Sequence, residues 1–60
     1  MGITDKMWEK ALKHLETMKQ AAIEIGWNGI FYVMGCNELK QRYDNGERTK
    51  ELYDEIMDLD

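Results

Sequence analysis

From residue 5 to residue 25 the apolar positions fall on a seven-residue repeat. Trp8, Leu15 and Ala22 occupy one seam position, and Ala11, Met18 and Ile25 occupy the other. Leu12 widens the stripe, while Glu9, Lys10, Lys13, Glu16, Thr17 and Gln20 fall mostly on the opposite side. A spacing that alternates three and four keeps these side chains on one face of an α-helix, so the pattern predicts an amphipathic helix over 5–25. Thr4 or Asp5 can accept from its first free N–H groups, and Glu9 and Lys13 form a favourable i,i+4 pair. Gly26 stands where a left-handed C-cap belongs, with Trp27 placed for the apolar contact of a Schellman motif.

A second helix is predicted over 29–43, with Asn28 as its N-cap. Tyr32, Cys36, Leu39 and Tyr43 share one face at spacings of four, three and four. Its first turn and a half, 30–34, is apolar on every side, and a helix of that kind needs cover on several sides. The same run is aromatic and β-branched between glycines, so a strand is the alternative. No second strand is available within the chain, and such a strand would pair with its copy in a dimer. A third helix is predicted over 46–59, with Leu52, Ile56 and Leu59 on its stripe and Tyr53 and Met57 beside it. Asp44 and Glu47 are spaced as an acidic capping box, and Lys50 can pair with Asp54. The short link at 44–46 makes helices two and three antiparallel neighbours. The expected architecture is therefore all-α, a small three-helix bundle in one domain over 1–60.

Size changes the picture, because 60 residues bury only about 60 % of the surface that the unfolded chain exposes. Small domains compensate with disulfides, metals, self-association or dense packing. Cys36 is the single cysteine, which leaves self-association and packing, and a homodimer is expected through helix one or 30–34. A lone thiol suits a reducing compartment, the N-terminus lacks the features of a signal peptide, and 30–34 is far too short to span a bilayer. The expectation is a cytoplasmic protein with no membrane contact.

The net charge of −4 is unevenly placed. Residues 1–26 balance Lys6, Lys10, Lys13 and Lys19 against Asp5, Glu9, Glu16 and Glu24, whereas 51–60 holds five acids and no base. Asp58 and Asp60 lie at the negative end of the helix dipole, at a cost of about 0.3–1 kcal/mol each. Solubility accounts for such a face; the sharper reading is that it meets a basic groove on a partner.

Candidate chemistry is sparse. Serine is absent, the hydroxyl nucleophiles are Thr4, Thr17 and Thr49, and His14 is the single histidine available as a general base. A Cys36 and His14 pair lacks a third group to orient the base, and Cys36 reads as a small core residue. No enzyme activity is expected. Glu51, Asp54, Glu55 and Asp58 lack a histidine or a chelating loop, so no metal or other cofactor is expected. The glycines match neither a P-loop nor a dinucleotide fingerprint. Lys6, Lys10 and Lys13 are interleaved with acids on a negative chain, which argues against nucleic acid.

If 30–34 were a strand, the order strand, helix, helix resembles a ribbon-helix-helix regulator in outline, which would imply a small dimeric DNA-binding protein. That family's strand carries polar or basic side chains toward DNA, and Ile30, Phe31, Tyr32, Val33 and Met34 supply none. The sequence points instead to a protein-binding module, an inhibitor or adaptor that docks on a larger cellular protein, similar in type to the accessory proteins of phages and mobile elements. Its candidate contacts are Trp27, Ile30, Phe31, Tyr32 and Tyr53 among the apolar residues, and Glu51, Asp54, Glu55 and Asp58 among the acids.

Overall fold

The first helix starts where a hydroxyl satisfies its free amides. Thr4 is extended (φ −80°, ψ 163°), and its Oγ1 accepts from the Met7 N–H at 3.2 Å. In the computed structural model, which describes residues 2–60, helix α1 runs Asp5–Ile25, a 3-10 turn spans Gly26–Gly29, α2 runs Ile30–Asp44 and α3 runs Lys50–Met57. The protein is all-α over these residues, and no helix is long and apolar enough to cross a membrane.

The α1 seam is buried at Trp8, Ala11, Leu15 and Ala22, and Leu12 packs against the core from its edge. Ile25 departs from the expected pattern, at 64 % exposure. Heptad position alone does not bury a side chain; a facing element must reach it, and α3 stops at Met57, with Asp60 beside Tyr32.

The α1 to α2 connection also differs from expectation. Gly26 does adopt a positive φ of 82°, but its ψ of −135° is not that of a left-handed helical cap, and its N–H bonds the Ile23 carbonyl. Trp27 makes no Schellman contact and points outward instead. Asn28 does not cap α2; Gly29 precedes that helix in a right-handed helical conformation without a side-chain bond. The Ile30 N–H bonds the Trp27 carbonyl, so the 3-10 turn runs into α2 and takes up its first amide in place of a capping side chain. Gly29 is buried because the backbones meet there: a Cβ on it would lie 2.1 Å from the Ala22 carbonyl oxygen.

Residues 30–34 are helical, which overturns the strand alternative and the ribbon topology built on it. The physical reason is the inward face of α2. Cys36 is buried, and Tyr32, Leu39 and Tyr43 pack against the core, a set that a period of two would send to opposite sides.

Helix α3 begins four residues later than the sequence predicts. Asp44 is still part of α2 and pairs with Lys40 at 2.7 Å, so it cannot serve as the cap of the next helix. Gly46 turns the chain at φ 101°. The Glu47 carboxylate goes to Arg42, whose Nε and Nη2 donate at 3.0 and 2.6 Å, and to the Thr49 hydroxyl. Thr49 then caps α3, its Oγ1 accepting from the Leu52 N–H at 3.1 Å.

The core joins Trp8, Ala11 and Leu15 of α1 to Cys36 of α2 and Leu52 and Ile56 of α3. The Trp8 ring is flanked by Tyr43 (centroids 5.4 Å apart) and Tyr53 (5.7 Å, edge to face), and the Arg48 guanidinium lies 3.5 Å over Tyr43. These residues belong to the first half of α1, to α2 from Cys36 onward, to the link before α3 and to α3 itself. The end of α1, the 3-10 turn and the start of α2 form the tip of a two-helix hairpin in a molecule measuring 40 × 18 × 15 Å.

Candidate protein-docking surface

The end of the hairpin is where the burial requirement fails. Trp27 is 86 % exposed and Phe31 81 %, with Ile23, Ile25, Ile30 and Met34 also open to solvent around them. The elements explain the arrangement. The turn at Gly26 carries Trp27 away from α1, and the inward face of α2 is already taken by Tyr32 and Cys36. Ile30, Phe31 and Met34 are therefore left on the outer sides of the same turn and a half. Ile23, Gly26, Trp27, Ile30 and Val33 enclose a shallow apolar hollow of about 380 Å³. No acid, base or histidine occurs between Glu24 and Glu38.

Two of the expected aromatic contacts lie elsewhere. Tyr53 is half-buried against Trp8 and supports the core. Tyr32 also packs on the core and donates its hydroxyl to the Asp60 carbonyl at 3.1 Å; burial first, then the nearby Cys36 and Asp60, raise its pKa. Ile23, Ile25 and Met34 join the surface although the sequence does not single them out. Met34 lies in the run that is apolar all round, which is the available signal. Ile25 reads as seam, and its exposure depends on how far α3 reaches.

The acids form a separate surface on α3 and the adjoining side of α2. Glu51, Glu55 and Asp58 share one stripe at helical spacing. Arg42 holds Glu55 as well as Glu47, and these two carboxylates raise its pKa. Arg42, followed by the Thr49 hydroxyl, holds Glu47 below the usual carboxylate range. Asp54 is on a different stripe and pairs with Lys50 at 2.8 Å. Glu55 and Asp58 approach Glu38 of α2 across a shallow groove floored by Gly35, Leu39 and Leu59. Phe31, Gly35 and Glu38 follow one another on α2 at spacings of four and three, so the exposed phenyl ring lies on the same stripe of α2 as Glu38.

The remaining chemical candidates are structural in their placement. Cys36 is 1 % exposed, and burial, the largest cause, raises its thiol pKa; Lys19 opposes that shift and Glu16 adds to it. The His14 Nε2 lies 2.9 Å from the Leu59 carbonyl, tying α1 to the segment after α3. Among the described residues no three His, Cys, Asp or Glu side chains converge as a metal site. Comparison with family models, curated proteins and solved structures finds no match to this chain.

Proposed function

We propose that this chain is a protein-binding module of the inhibitor or adaptor type, which docks on a larger protein through the end of its α1–α2 hairpin. The reading rests on the exposure of Trp27 and Phe31 at the end of the hairpin, with Ile23, Ile30 and Met34 also open to solvent. Isolated exposed apolar residues are ordinary, whereas a contiguous patch beyond a few hundred Å² marks an interaction site. Rigid aromatic side chains on a helical hairpin are also the groups that carry most binding energy when a partner desolvates them. The stripe of Glu51, Glu55 and Asp58, with Glu38 and Phe31 on the adjoining stripe of α2, favours a recipient groove that is apolar at its centre and basic at its rim. A reduced, intracellular setting suits the single thiol, and the small acidic chain has the character of a phage-type accessory protein.

Capture from an extract of the source cells with the immobilised chain tests this reading. Wild type retains a defined protein, and the double variant Trp27→Ala/Phe31→Ala retains it at least about tenfold less. Both side chains are exposed, so the variant keeps its helical circular dichroism. Equal retention by the two proteins would place the contact elsewhere.

A further inference from the structure

We propose that a second copy of the chain covers the hairpin end, pairing about a two-fold axis, and that this dimer is the resting form of the docking surface. The inference rests on the function proposed above and assigns its regulation: self-pairing and partner binding compete for Trp27.

Three observations support a second copy as the occupant. The first is charge. Residues 38–60 carry eight acids and four bases, which accounts for the whole net charge of −4, because 1–24 is balanced and 25–37 is uncharged. Two copies repel where their 38–60 segments face each other, and the uncharged hairpin end lets them meet without opposing like charges. The second is shape. Trp27 lines the shallow hollow of about 380 Å³ together with Ile23, Gly26, Ile30 and Val33, so the exposed indole and the open apolar surface beside it lie on one face. A two-fold axis pairs a patch with itself, so each copy's indole packs against the apolar surface around the other's.

The third is area. With roughly 250 Å² for a fully exposed tryptophan and rather less for the aliphatic side chains, Ile23, Trp27, Ile30 and Met34 together offer about 500 Å² per copy. A pair then buries about 1,000 Å², at the lower limit for a specific interface. An interface of that size forms reversibly, as a resting form that gives way to a partner must.

Sedimentation velocity over a dilution series from about 1 mM downward is the test. Wild type moves from twice the 7.1 kDa chain mass toward the chain mass on dilution. Trp27→Glu, which places a carboxylate against the other copy's apolar surface, raises the dissociation constant at least about 30-fold. Trp27→Phe keeps the dimer, and circular dichroism reports that each variant is folded. A single species of 7.1 kDa at every concentration overturns the proposal. So does a dimer that Trp27→Glu leaves unchanged, since it would form through another face. Capture performed at concentrations where the chain is monomeric separates the two readings. Absence of a wild-type dimer with capture intact removes only this inference, and absence of capture by a chain that does form the dimer removes only the docking function.

Discussion

Replacing Gly29 by alanine is expected to lower the melting temperature by about 10–25 °C, an effect of about 1–3 kcal/mol for a chain of this size. The backbone at Gly29 (φ −96°, ψ −2°) is open to any residue, so the cost is steric. The added Cβ would lie 2.1 Å from the Ala22 carbonyl oxygen and 2.9 Å from its carbon. Both are main-chain atoms of a helix and cannot rotate aside, so the hairpin must open at its end. Gly35→Ala is the matched control: it lies within α2, an added Cβ there meets nothing within 4 Å, and it should stabilise by about 0.5–1 kcal/mol. Thermal circular dichroism of the two variants decides the matter. Indistinguishable melting curves would mean that α1 and α2 do not approach at Gly29.

The second large effect is expected at Leu52. It is fully buried and, with Ile56, joins α3 to the core. Truncation of a buried leucine costs about 2–5 kcal/mol, against a total stability of about 3–9 kcal/mol for 60 residues. Helix α3 has 8 residues and does not hold its conformation alone, because isolated helices shorter than about 12 residues are marginal in water. Leu52→Ala therefore loosens α3 from Trp8 and Cys36 and removes about half of the stability or more, which lowers the urea midpoint in proportion. Ile25→Ala, at a position the heptad pattern treats as equivalent, should cost less than about 1 kcal/mol because its side chain is already in solvent. Urea titration followed by tryptophan fluorescence measures both. Similar midpoints for the two variants would contradict the burial pattern.

That contrast shows which parts of the molecule the sequence encodes openly. Each helix carries its inward face as a period: Trp8, Ala11, Leu15 and Ala22 in α1, Tyr32, Cys36, Leu39 and Tyr43 in α2, Leu52 and Ile56 in α3. Periodicity reports which side of a helix is apolar, and it reports nothing about where the neighbouring helix stops. Ile25 continues the α1 stripe past the reach of α3, so pattern and burial part there. Helix ends are harder to read because several side chains compete for the same role. Asp44 and Glu47 have the spacing of a cap, but Lys40 and Arg42 bind them and Thr49 takes the position. Asn28 resembles a cap as well, yet the 3-10 turn already occupies the first amide of α2. The exposed apolar surface is legible in part for the same reason as the helices: the run 30–34 is apolar all round and cannot be covered by two neighbours, which exposes Ile30, Phe31 and Met34. Tyr32 and Tyr53 have the same composition signal and pack inward, because aromatic identity alone does not separate an anchor from a core residue.

The buried thiol gives the fold a clock of its own. Cys36 lies in the core between the helices, so a water-soluble disulfide reagent reaches its sulfur only after they part. Modification in buffer should be at least about 100-fold slower than in urea, since the open population falls by that factor or more for a domain of this stability. Absorbance of the released thiolate follows the reaction without any label. Equal rates in the two solvents would mean that the hairpin stands apart at Cys36. The dependence of the native rate on protein concentration would show whether covering the hairpin end also slows the separation of the helices behind it, coupling what happens at the outer surface to the breathing of the interior.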